Sequence, residues 1–101
     1  MAAIPPFNNH LPVRIRFGAG VARELGAIVA GEGAKTAVVV IDAGLEEQSP
    51  AVAAAVASIT EAGVELVRHV KEAGEPTHAA VDVAAEVIRA AEAGALVAIG
   101  G

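Results

Sequence analysis

Apolar and polar residues change their period several times along this chain, and each change marks an element. In "VRIRF", Val13, Ile15 and Phe17 alternate with Arg14 and Arg16, the period of two expected of a half-buried strand. Gly18 and Gly20 interrupt it. From Val21 the spacing lengthens to that of a helix, with Val21, Leu25 and Ile28 as its stripe and Gly31 and Gly33 supplying the stop. "TAVVVID" is β-branched and apolar on both faces, which predicts a central parallel strand covered by helices on both sides. A second helix is predicted with Ser49 as N-cap, Pro50 at its first position, Val52, Val56 and Ile59 inward, and Gly63 past its end. "VELVRHV" returns to a strand, "KEAGEP" turns the chain, and Thr77 caps a third helix. Val81, Ala85 and Ile88 are its expected inward residues, and it ends near Gly94 before a fourth strand, "ALVAIG".

Residues 1–12 carry Pro5, Pro6 and Pro12 and read as an irregular arm. After it the predicted order is β-α-β-α-β-α-β, with connections short enough for βαβ crossovers. A layered α/β half-fold with a mostly parallel sheet follows, since such crossovers are right-handed in about 98% of cases.

Composition narrows the chemistry. The 101 residues are 54% hydrophobic but only 2% aromatic, so the core must be built from Val, Ile, Leu and Ala. Seven basic residues against twelve acidic ones give a net charge of -5 with no basic stripe, which argues against nucleic acid and membrane surfaces as partners. Cysteine is absent, and with it thiolate catalysis and Cys-ligated metal. The N-terminus has neither the charge nor the apolar run of a secretory signal, and no segment has the roughly 18 apolar residues of a membrane span. A cytoplasmic protein is the expectation.

Ligands of open parallel sheets bind beyond the carboxyl ends of the strands. Three such ends are legible: Asp42 closing "VVVID", the "HVKEAGEPT" turn, and Gly100 with Gly101. A carboxylate at the first can accept hydrogen bonds from a ribose diol and repel a 2′-phosphate, favouring NAD over NADP; it can also simply cap the turn. Glu46 and Glu47 read as solvated charges. The Gly pair can open a phosphate turn, because bare backbone N–H groups can reach an anion. A terminal turn is its ordinary alternative. The order is unusual, since the dinucleotide fingerprint places its glycines before the acid. His10, His69 and His78 show no metal-ligand spacing, His69 sharing a strand face with Val67, and no nucleophile, base and orienter set is visible.

Taken in order, "RIRFGAG", "IDAGL", "EAGV", "GEPT" and "LVAIGG" resemble the N-terminal half-domain of the iron-containing alcohol dehydrogenase family from about Leu11 to Gly101. The family's elements run as a strand ending "FG.G", a "D.G" strand end, an "NPT" turn and a "GGGS" loop leading into a helix. The resemblance implies a Rossmann-like half-domain over residues 13–101, incomplete at its C-terminal end, with the chain stopping inside a cofactor loop. It implies Asp42 as the cofactor-ribose carboxylate, Gly44 and Leu45 continuing its loop, Pro76 and Thr77 beside the cofactor, and Gly100 and Gly101 opening the pyrophosphate loop. Glu75 stands where the family has Asn. The family's divalent metal, iron by its name, is held by an Asp and three His in a C-terminal helical domain that this sequence lacks.

The expected function is therefore the cofactor-binding portion of an oxidoreductase that moves hydride between an alcohol or hydroxy acid and NAD, inactive alone. A maleylacetate reductase or polyol dehydrogenase is the alternative within the family. A stand-alone non-catalytic nucleotide-binding or assembly module is the alternative outside it. Expected partners are the dinucleotide, the remainder of the parent chain, and a second copy in a homo-oligomer or swapped dimer.

Overall fold

The computed structural model describes residues 13–72, 74 and 77–100. The N-terminal arm, Glu75, Pro76 and Gly101 lie outside the described residues. A 3₁₀ turn at Val21–Glu24 runs into α1 (Leu25–Gly31), followed by β1 (Thr36–Asp42), α2 (Leu45–Gln48), α3 (Pro50–Glu61), β2 (Glu65–Lys71), α4 (His78–Ala91) and β3 (Ala95–Ile99). The three strands form one sheet in the order β2-β1-β3. Both pairings are parallel, so the α/β, Rossmann-like half-domain expected from the pattern is the fold observed.

The central place of β1 follows from its sequence. Ala37, Val39 and Ile41 face one side and pack with Val29, Val56, Ile59 and Val64. Val38, on the other face, is equally inaccessible. Burying Val56 and Ile59 alone contributes on the order of 2 kcal/mol each in hydrophobic transfer. α3 carries the signals read from it: the Ser49 hydroxyl accepts the Val52 N–H at 3.3 Å, Pro50 opens the helix, and Gly63 at φ 84° follows its end.

α1 and α3 meet at backbone distance. A Cβ on Gly26 would lie 1.9 Å from the Ser58 carbonyl oxygen, and the Gly26 N–H donates to Ser58 Oγ at 2.8 Å. The inward residues of α1 are consequently Gly26 and Val29, while Ile28 is 46% exposed. Of the predicted stripe Leu25 packs against the core, but Val29 takes the inward place expected of Ile28, and Gly26, which makes the close contact, is invisible to a count of apolar side chains.

The second face of the sheet is less covered. α4 lies against β1 and β2 but buries none of its residues fully, and Val81, expected inward, is 55% exposed. The helix also stops at Ala91 rather than near Gly94. Glu92 takes the left-handed conformation at φ 50°, and Gly94 instead packs on Ala34, whose Cα would lie 3.2 Å from a Cβ there.

The first predicted strand forms no pairing among the described residues. Residues 13–17 are exposed throughout, Phe17 at 98%. Alternation gives a segment two faces but no edge to join. Its contacts are two exposed ion pairs, Arg16 with Glu24 at 2.6 Å and Arg14 with Glu32 at 3.6 Å, of a kind that contributes little to stability. Among the described residues no helix is long and apolar enough to cross a membrane.

Candidate functional site

The strand order creates one preferred place for a ligand. From β1 the chain moves to β2 on one side and then returns past β1 to β3 on the other. The connection out of β1 leads to one side while β3 lies on the other, the kind of reversal at which ligands of open parallel sheets bind beyond the carboxyl ends of the strands.

Asp42 ends β1 at that point, and Gly100 is the first residue after β3. The two are in contact. A Cβ on Gly100 would lie 2.8 Å from Asp42 Oδ2, 3.0 Å from Cγ and 3.1 Å from Oδ1. Only glycine leaves the carboxylate room to lie against the backbone of β3.

Lys71 completes the group. It is the register partner of Asp42 across β1 and β2, and parallel strands in register place the two side chains on one face. Its Nζ lies 2.9 Å from Asp42 Oδ1. That oxygen is sealed from solvent and has no hydrogen-bond partner among the described residues. The distance is that of an ion pair while the direction is off the hydrogen-bond axis, so the contact is best described as electrostatic.

These residues line a depression of about 300 Å³ floored by Val40, Ala98 and Ile99. A larger groove of about 530 Å³ lies between α4 and β2; it shares Lys71 and Val40 with the first and is bordered by Thr77 and His69. Thr77 occupies the position expected of it, its hydroxyl accepting the Ala80 N–H at 3.0 Å as the N-cap of α4. It borders the groove rather than the Asp42 depression.

Gly44 and Leu45 shape the exit from β1. Gly44 takes φ 79° and precedes α2, and Leu45 is tucked against the core. The loop is tied to β2 by the Ala43 N–H, which donates to the Lys71 carbonyl at 2.9 Å. α2 adds a second tie, which corrects the reading of Glu46 as a solvated charge. Glu46 accepts two bonds from Arg68, Nε to Oε1 and Nη2 to Oε2, both at 3.0 Å. That bonding holds the Arg68 guanidinium above its ordinary value, against a smaller opposing cost of burial and with added attraction from Glu46 and Glu47.

Of the expected site residues, the structure thus joins Asp42 to Gly100, with Gly44 and Leu45 forming the adjoining loop and Thr77 on the neighbouring groove. The sequence does not single out Lys71, because the apolar pattern of that strand stops at Val70. One more residue of strand would have put it beside Asp42.

A carboxylate at the reversal point of the sheet is an acceptor of the kind a sugar diol takes, and the glycine beside it leaves that carboxylate its place. Among the described residues no three metal-ligating side chains come together.

The sequence model of the family Iron-containing alcohol dehydrogenase matches residues 12–101. A search of curated proteins found no match. Among solved structures, the NADH-dependent butanol dehydrogenase A of Thermotoga maritima superposes with a TM-score of 0.81 at 23% identity, covering 90% of this chain and 23% of that one. The archaeal halo-thermophilic Red Sea brine pool alcohol dehydrogenase ADH/D1, bound to NZQ, superposes at 0.74 and 23% identity, covering 91% of this chain and 25% of that one. The chain therefore spans about a quarter of the length of these structures, and at such identity the likeness concerns the fold. The match over nearly all of the sequence shows that the chain belongs to the iron-containing alcohol dehydrogenase family.

Proposed function

We propose that this stretch binds a nicotinamide dinucleotide for an alcohol dehydrogenase-type oxidoreductase, with Asp42 accepting hydrogen bonds from the adenosine ribose and Gly100 opening the turn that passes the pyrophosphate. The observation that supports it most is the contact of Asp42 with Gly100 at the reversal point of the sheet. The nicotinamide supplies the hydride chemistry when bound. The residues described here bind and orient: Gly44 and Leu45 set the loop beside the carboxylate, and Gly100 leaves room for the carboxylate itself.

NADH is named for the Thermotoga neighbour and is one cofactor we assign. The metal implied by the family falls outside the residues described, and we assign this stretch no catalytic step of its own. A second copy of the chain is the proposed partner of the exposed segment 13–17.

The test is calorimetric titration of the full gene product with NADH. Replacing a charged acceptor costs about 1.5–3 kcal/mol, so Asp42→Ala should weaken binding by about 10- to 100-fold. Unchanged affinity would remove Asp42 from the site.

A further inference from the structure

We propose that Lys71 is a specificity-determining residue of this site, cancelling the charge of Asp42 so that the depression admits the 2′-phosphate of NADP as well as the 2′-hydroxyl of NAD. The proposal rests on the cofactor reading above and extends it to a residue on the neighbouring strand.

A lone carboxylate beside the ribose discriminates by repulsion, because a 2′-phosphate brings negative charge to it. Asp42 is not alone. Lys71 Nζ lies 2.9 Å from Oδ1, and a ligand at the mouth of the depression meets a pair of zero net charge. The repulsive field of a single charge is reduced to that of a short dipole.

Geometry limits Asp42 further. Oδ1 is closed to solvent, so a ribose diol meets Oδ2 alone unless Lys71 moves. The ammonium has three donors and only one carboxylate oxygen beside it. Its side chain is 40% exposed and borders both the depression and the neighbouring groove. A phosphate oxygen entering there would find a cation already in place, with no rearrangement of the strands. The register fixes this arrangement, since Asp42 and Lys71 are the last pair of the β1–β2 ladder.

The test is titration of the full gene product with NAD+ and with NADP+, reading the ratio of the two dissociation constants. The wild type should show a ratio within about tenfold of unity. Lys71→Met should move the ratio toward NAD+ by at least about tenfold, and Lys71→Arg should restore it to within about threefold of the wild type. In the wild type the NADP+ constant should rise more steeply with salt than the NAD+ constant, a difference lost in Lys71→Met. Should Lys71→Met not fold by circular dichroism, Lys71→Gln carries the same expectation. Binding of both cofactors with a ratio unmoved by loss of the ammonium would overturn the role of Lys71 and leave the cofactor reading intact. No binding of either by the wild type would overturn both.

Discussion

Gly100 owes its identity to the residue it faces. Its φ is ordinary, so no turn demands glycine there; the Asp42 carboxylate, 2.8 Å from where a Cβ would be, does. The atoms in the way belong to a side chain rather than to backbone, and a side chain can rotate aside at a cost of about 0.5–1.5 kcal/mol. Gly100→Ala should therefore displace Asp42 rather than unfold the protein. We expect NADH affinity to fall by about tenfold with a melting temperature lowered by only a few degrees; a large thermal loss would mean the glycine serves the fold instead. Asp42 and Gly100 were both legible in the sequence because each closes a strand pattern. Lys71 was not, because what makes it part of the site is a pairing register, and register belongs to two strands at once.

Among the elements, α1 and α3 form the tightest joint. Gly26 lets the helix backbones touch and gives its N–H to Ser58 Oγ, which in turn donates to the Ala55 carbonyl at 2.6 Å. Gly26→Ala gains up to about 1 kcal/mol of helix propensity, yet a methyl 1.9 Å from a carbonyl oxygen forces the helices apart. Overpacking costs about 1–3 kcal/mol, with contact against backbone at the upper end, so chemical denaturation should show a net loss of about 2 kcal/mol; equal stability would refute the contact. Helix existence was well marked in the sequence, by Ser49 with Pro50 and by Thr77. Helix phase was not, since Ile28 and Val81 satisfy a periodic count while Gly26 decides which side of α1 meets α3. Nor did the residues 45–48 announce a helix: α2 is one turn long, held by Gly44 before it and by the Glu46 bonds to Arg68.

At the scale of the molecule, one side of the sheet is sealed and the other is partly open. The alternation of both-face apolar and single-face strands pointed to β1 as the centre, and the centre it is. The neighbours on each side could not be read, because crossovers of similar length can lead to either edge. The same ignorance of edges misplaced residues 13–17, whose apolar face the described residues leave uncovered: Val13, Ile15 and Phe17 are all strongly exposed among them. Pairing with another copy would cover that face and satisfy its backbone groups. Light scattering of the full gene product should report an oligomer, and Ile15→Lys with Phe17→Lys should shift the mass toward the monomer. An unchanged mass would show that assembly, if present, uses another surface.

The contact between Asp42 and Gly100 joins positions far apart in the chain, and both crossovers must close before it exists. A ligand seated there would have nothing to bind in the unfolded ensemble. Occupancy and folding are then linked by mass action, adding about 2.7 kcal/mol to the folded state when the ligand stands at 100 times its dissociation constant. The supply of cofactor would thereby set how long the protein survives proteolysis, independently of whether any substrate is being turned over.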